Sequence, residues 1–147
     1  ALSWAIFELV QHPEVQAKII EEVDEVCGSV EVEGDYSFEA ISRLKYTDAV
    51  VMEVLRLHPS VPCDAKFAVS DDTLPDGTFI PKGAAVGYPP YAMGRSTDTW
   101  GEDANEFKPE RFLADNFKTP SNFAWPVFNA GKRFCLGKPM AMNTLKL

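Results

Sequence analysis

Cysteine and histidine are scarce in this chain, and neither is clustered. Three cysteines, Cys27, Cys63 and Cys135, lie far apart among 147 residues, and each of the two histidines stands before a proline, in His12-Pro13 and His58-Pro59. No zinc-type ligand spacing and no disulfide framework can be built from them. Scattered thiols suit a reducing or cytosol-facing setting. Basic residues are in the minority, 14 Lys and Arg against 22 Asp and Glu, for a formal net charge of −8. That balance excludes the broad basic face a nucleic-acid partner requires. No apolar run reaches the length of a membrane-spanning helix. Internal repeats and low-complexity stretches are also missing, so one partial domain over residues 1–147 is expected.

What is present is ordinary globular material, 46% hydrophobic and 24% charged. Ala1 to Gln11 carries Leu2, Ile6 and Leu9 at helical spacing and reads as the end of a buried helix. Pro13 suits the first turn of the next helix, in which Val15, Ile19, Val23 and Val26 oppose a charged face until Gly28 ends it. The acid excess is concentrated from Glu21 to Glu39, and Val30 to Ser37 reads as a solvated acidic loop. Leu44 to Leu57 is apolar nearly all round, which predicts a buried helix closed by Pro59. Inside it Glu53 and Arg56 share one face at i and i+3, as a buried ion pair.

After Pro59 the pattern changes to short β-like runs, Lys66–Val69, Gly77–Ile80 and Ala85–Tyr88, with turns at Asp76-Gly77 and Pro81-Lys82-Gly83. A small antiparallel sheet is expected, then a short helix at Pro89–Met93. Gly94 to Pro126 is irregular but rich in aromatics, which favours packing. Leu136 to Leu147 reads as a helix with Pro139 in its first turn. The fold class expected is mostly α with a small antiparallel β region.

The stretch Phe128-Asn129-Ala130-Gly131-Lys132-Arg133-Phe134-Cys135-Leu136-Gly137 organises the rest. Lys132 and Arg133 supply positive charge beside Cys135, and the N-terminus of the following helix adds more. Gly131 permits a tight turn. Gly131 and Gly137 leave no side chain between the backbone and a flat ligand, and Phe128 and Phe134 keep water off the sulfur. These are the conditions under which a thiolate ligates haem iron.

Phe128, Gly131, Arg133, Cys135 and Gly137 fill every place of a signature that resembles the haem-binding loop of the cytochrome P-450 superfamily. The resemblance extends over the chain. Glu53-Val54-Leu55-Arg56 resembles the family's Glu-x-x-Arg, and Pro109-Glu110-Arg111-Phe112 the later segment whose arginine joins that pair. It implies the C-terminal part of the cytochrome P-450 fold, with Cys135 as axial ligand of haem b and Phe128, Gly131, Arg133 and Gly137 around it. Arg133 is the expected propionate partner. Lys66 stands where the family often places a second one, with a solvated strand lysine as the other reading. Glu53, Arg56 and Arg111 form the implied structural triad. Val61, Pro62, Cys63, Asp64 and Ala65 match the turn that borders the substrate pocket, Cys63 as a packing residue.

The activity implied is insertion of one oxygen atom from O2 into a C–H bond of an apolar substrate. Electrons would come from NADPH through a flavoprotein reductase docking near Lys132, Arg133 and Lys138. Pro59–Pro62, Asp71–Thr78 and Trp100–Asp103 look like the eukaryotic fatty-acid ω-hydroxylase group. Two other readings stay open, a haem-thiolate enzyme that rearranges hydroperoxides and an inactive fragment of a monooxygenase. Ala1–Trp4 resembles the tail of the family's long central helix, so the acid–threonine pair that feeds protons to oxygen is expected upstream of Ala1. The chain alone is therefore expected to be inactive. The resemblance also implies residence on the cytosolic face of the endoplasmic reticulum, with membrane contact only through a segment upstream.

Overall fold

A computed structural model describes residues 1–28, 34–115 and 117–147. Residues 30–33 of the expected acidic loop lie outside that range. Helices dominate, with two short antiparallel ladders between them.

Helix α1 (Leu2–Gln11) runs into α2 (Pro13–Cys27) through His12, with Pro13 opening α2 and Gly28 at φ +87° closing it. The expectation that α1 is buried does not hold. Leu2, Ile6 and Val10 are exposed, and Glu8 is the buried residue of the helix. Of the apolar face that periodicity gave α1, Leu9 packs against the Val15, Val50 and Val54 cluster, while no described element covers Leu2 and Ile6. The inner side of α1 also meets the end of the central helix. Trp4 stacks on His58 with ring centroids 4.1 Å apart, and the Glu8 carboxylate lies 2.6 Å from His58 Nε2.

A short helix, α3 (Phe38–Ser42), is capped by the Ser37 hydroxyl, which accepts from Ala40 N–H. The central helix α4 (Lys45–Leu57) follows. Its first turn receives its cap from outside. The Glu22 carboxylate on α2 accepts from the N–H groups of Tyr46 and Thr47 at 2.6 and 2.8 Å and from the Thr47 hydroxyl at 2.7 Å. Those N–H groups have no partner within the helix, and a charged acceptor there satisfies both the bonds and the dipole. Val50, Val51, Val54, Leu55 and Leu57 are buried, as their all-round apolar pattern requires.

The β region forms two ladders rather than one sheet. β1 (Asp64–Phe67) pairs with β4 (Ala85–Tyr88), and β2 (Asp72–Thr73) with β3 (Phe79–Ile80). The first strand thus starts two residues before Lys66 and ends before Val69. Its register sets Asp64 opposite Tyr88 and Lys66 opposite Val86. Two short helices follow, α5 (Pro90–Met93) and α6 (Thr97–Trp100), then a 3₁₀ turn over Pro109–Phe112.

The segment that reads as irregular supplies much of the main core. Trp100, Ala104 and Trp125 pack with Val51 and Leu55 of α4, joined at the edge by Phe112, Phe117 and Phe128. Trp100 and Trp125 meet edge to face at 5.4 Å. Phe123 is the exception among these aromatics and is exposed. The last helix, α7 (Lys138–Lys146), packs on α3 and α4 and begins two residues later than the sequence suggests, with Gly137 as its cap residue.

Candidate functional site

The site is built on a buried polar hub. Arg56 and Glu53 are fully buried on α4. The Arg56 Nε and Nη2 groups donate to the two Glu53 oxygens at 2.6 and 2.7 Å. Its other N–H groups donate to the carbonyls of Gly94, Ala104 and Glu106 at 2.6, 2.5 and 2.9 Å. Every donor of the guanidinium is used, so its charge is solvated by the protein. The Trp100 ring lies 5.1 Å from the guanidinium carbon.

Arg111 approaches Glu53 from the 3₁₀ turn. Its Nε donates to Glu53 Oε1 at 3.0 Å, and Lys108 N–H donates to the same oxygen at 2.8 Å. Arg111 also donates to the side chain and the carbonyl of Asp103, both at 3.0 Å. Hydrogen bonds from Lys108 and Arg111 hold the Asp103 carboxyl down at about 2. One carboxylate therefore joins two arginines, and their remaining donors hold the irregular segment from Gly94 to Arg111 against α4.

The cysteine loop leaves the Trp125 core and turns twice. Asn129 N–H donates to the Pro126 carbonyl at 2.8 Å, and Cys135 N–H closes back on the Phe128 carbonyl at 2.8 Å. Gly131 sits at φ +60° in a 3₁₀ turn over Gly131–Arg133. A side chain there would be strained in this backbone conformation. Cys135 is exposed, and Leu136 beside it is 97% exposed. A methyl group on Gly137 would stand 3.7 Å from Cys135 Sγ, an ordinary contact within the chain, but one that would occupy the space next to the sulfur.

Phe128 is half-buried against the core. Lys138 lies over the rings of Phe128 and Phe134, 5.5 and 5.7 Å from their centroids. Its charge is thus held against the loop rather than projected into solvent, whereas Lys132 and Arg133 are exposed.

A cavity of about 710 Å³ opens beside part of the loop; Phe128, Gly131, Cys135 and Gly137 are not on its wall. Its wall includes Asn129, Ala130 and Arg133 from the loop, Lys66 and Phe67 from β1, and Phe123. Lys66 and Arg133, 67 residues apart in sequence, thus border one apolar hollow. Lys66 is not a free lysine. It donates to Asp64 at 2.8 Å, and that bond raises the Lys66 ammonium above its ordinary range. Hydrogen bonds from Lys66 and Tyr88 hold Asp64 well below the usual carboxylate range.

Val61, Pro62, Cys63, Asp64 and Ala65 do not line this cavity. Val61, Pro62 and Cys63 are exposed in the bend before β1, so Cys63 does not pack. Asp64 and Ala65 begin β1, Ala65 opposite Gly87. Sequence reasoning missed Tyr88 and Asn129, whose side chains meet Asp64. The i, i+2 placement of Asp64 and Lys66 on one face of a strand was the available signal for that pair. No local pattern pointed to the other two.

The donor set fits a haem bound through sulfur. It offers an accessible thiol on a glycine-bounded loop, two cations bordering one hollow, and apolar walls between them.

A family model described as Cytochrome P-450 matches residues 1–147. The chain belongs to the cytochrome P-450 family. Among curated relatives it is 44% identical to cytochrome P-450 704C1 of Pinus taeda over 160 residues, covering 100% of this chain and 31% of that protein. It is 40% identical to cytochrome P-450 94B1 of Arabidopsis thaliana, covering 99% and 29%, and 41% identical to cytochrome P-450 94A2 of Vicia sativa, covering 99% and 28%. The chain spans about three-tenths of the length of these relatives and corresponds to their C-terminal part. Among the described residues no helix is long and apolar enough to cross a membrane.

Proposed function

We propose that the protein is a haem-thiolate monooxygenase and that residues 1–147 form one partial domain, the part that holds the iron from its sulfur side. The observation that carries the reading is the exposed Cys135 on a loop whose neighbours Asn129 and Arg133 share one cavity with Lys66. Cys135 is the axial ligand. Gly131 and Gly137 keep the loop backbone free for a flat macrocycle, and Phe128 restricts solvent at the sulfur. Arg133 and Lys66 are the partners for the two carboxylates of haem b, as charge-assisted contacts. When bound, haem supplies the oxidation of a C–H bond with O2, assisted by electron donation from the thiolate.

The remaining residues support that role by position. Glu53, Arg56 and Arg111 anchor the irregular segment, and that segment's Trp100 packs on the Trp125 that precedes the loop. Electrons derive from NADPH through a flavoprotein reductase, with Lys132 and Arg133 as the exposed charges on the cysteine side. Lys138 contributes less to that face because it lies over aromatic rings. The enzyme works at the cytosolic face of the endoplasmic reticulum, with membrane contact through a segment upstream of Ala1.

The substrate proposed is a long-chain fatty acid, oxidised at its ω end. Support comes from Pro59–Pro62, Asp71–Thr78 and Trp100–Asp103, which resemble the ω-hydroxylase group. The uninterrupted loop from Phe128 to Gly137 favours a monooxygenase over a hydroperoxide-rearranging enzyme. Titration of the full-length, haem-loaded protein with a C12–C18 fatty-acid series, followed by its haem absorption, tests the substrate. A low-spin to high-spin shift supports it. A haem spectrum unmoved by every member removes the fatty-acid reading and leaves the class intact.

A further inference from the structure

We propose that Asp64 is a positioning residue that fastens the cysteine loop to the β region, through Asn129, and so sets where Cys135 is held for haem. The proposal rests on the haem-thiolate reading above. Four donors converge on the Asp64 carboxylate. They are Lys66 Nζ at 2.8 Å, the Tyr88 hydroxyl at 2.7 Å, Asn129 Nδ2 at 3.2 Å and Ala65 N–H at 2.7 Å. The Tyr88 hydroxyl also lies against Asn129 Oδ1, so its one proton is shared between that oxygen and Asp64. One carboxylate therefore joins β1, β4 and the loop across 65 residues of sequence.

The backbone of Asn129 shows why the tether matters. At φ +64° it is the one described non-glycine residue in the left-handed region. Glycine adopts that conformation freely, and Gly131, two residues on, does so. Asparagine tolerates it less well but brings an amide that can be tied down. Its N–H donates to Asp64, and its oxygen lies against the Tyr88 hydroxyl, whose single proton it shares with Asp64. Asn129 directly follows Phe128, whose carbonyl takes the Cys135 N–H. Displacing Asn129 would move the acceptor that closes the loop on the sulfur-bearing residue. A lone exposed Lys66–Asp64 pair would be worth little; the convergence on a loop residue gives Asp64 its leverage.

The test uses full-length, haem-loaded protein carrying Asp64→Asn, Asn129→Gly, Tyr88→Phe and the Asp64→Asn/Asn129→Gly double substitution. Asn129→Gly keeps the backbone conformation and removes only the tether. Haem transfer to excess apomyoglobin gives the loss rate, the ferrous–CO band reports thiolate ligation, and a thermal midpoint reports folding. Asp64→Asn and Asn129→Gly should each speed haem loss roughly tenfold, the effect of one charge-assisted hydrogen bond. The double variant should lose haem no faster than the faster single one, with thermal midpoints close to wild type. Haem loss at the wild-type rate in Asn129→Gly, or fully multiplicative effects in the double variant, overturns the proposal. If Asp64→Asn does not fold, Asn129→Gly and Tyr88→Phe still decide it. Cys135→Ser separates the two levels. If it retains a thiolate-type band, the assignment of Cys135 as the ligand fails, and the positioning role with it. If it loses the band while the Asp64 and Asn129 variants behave as wild type, only the positioning role fails.

Discussion

Arg56 grips Glu53 with two parallel bonds of 2.6 and 2.7 Å, and neither side chain has any solvent exposure. Burying both charges is tolerable because the rest of the guanidinium donates to three backbone carbonyls drawn from residues 94 to 106. Lysine carries the same charge but cannot present that planar fork. Arg56→Lys should therefore behave almost like Arg56→Ala. Each should lower stability by about 3–5 kcal/mol, the usual cost of breaking a buried pair. Urea unfolding and haem content of the purified variants provide the check; full haem loading in Arg56→Lys would show that charge alone suffices.

Gly94 is fixed by proximity rather than by backbone conformation. A methyl group on it would lie 2.2 Å from the Arg56 carbonyl oxygen and 3.3 Å from the Pro90 carbonyl oxygen. Both obstacles are backbone, so the segment must shift, and the Gly94 carbonyl would move away from the Arg56 guanidinium. Gly94→Ala should cost about 1–3 kcal/mol or more, the range for overpacking a close-packed interior. Gly83→Ala, with open space around its added carbon, is the comparison; it carries only the strain of its φ of +85°, about 1–2 kcal/mol. Equal denaturant midpoints for Gly94→Ala and wild type would contradict the close approach.

Asp103 gives a pH signature. Lys108 and Arg111 hold it at about 2, below the ordinary carboxylate value of about 3.9. A depressed carboxyl contributes stability that is complete above the unfolded-state value and is lost as pH falls through the folded-state value. Asp103→Asn should therefore be less stable than wild type at about pH 5. The gap should close as pH is lowered from about 4 to about 2. A gap that stays constant over that window would mean that Asp103 acts through shape and not charge.

The cysteine loop, the Glu53–Arg56 spacing and the buried α4 were legible because each is encoded locally. Strict spacing marks the loop, an i, i+3 step marks the pair, and unbroken apolar sequence marks the helix. Long-range relations were not legible in that way. Glu22 caps α4 from another helix, and Asp64 meets Asn129 across 65 residues, with no periodicity to announce either. The α1 face illustrates the converse. Leu2, Ile6 and Leu9 have the pattern of a buried stripe, yet burial depends on what covers it: Leu9 packs near Val15, Val50 and Val54, while Leu2 and Ile6 are exposed. β2 escaped notice because Asp72 and Thr73 are too few to show alternation.

The central claim is that Cys135 ligates the iron, and the ferrous–CO difference spectrum of Cys135→Ser in the full-length protein tests it most directly. Serine preserves the loop's shape and removes the sulfur. The thiolate-type band seen with wild type should disappear in the variant while the protein remains folded. A variant that keeps that band at wild-type intensity would contradict the account.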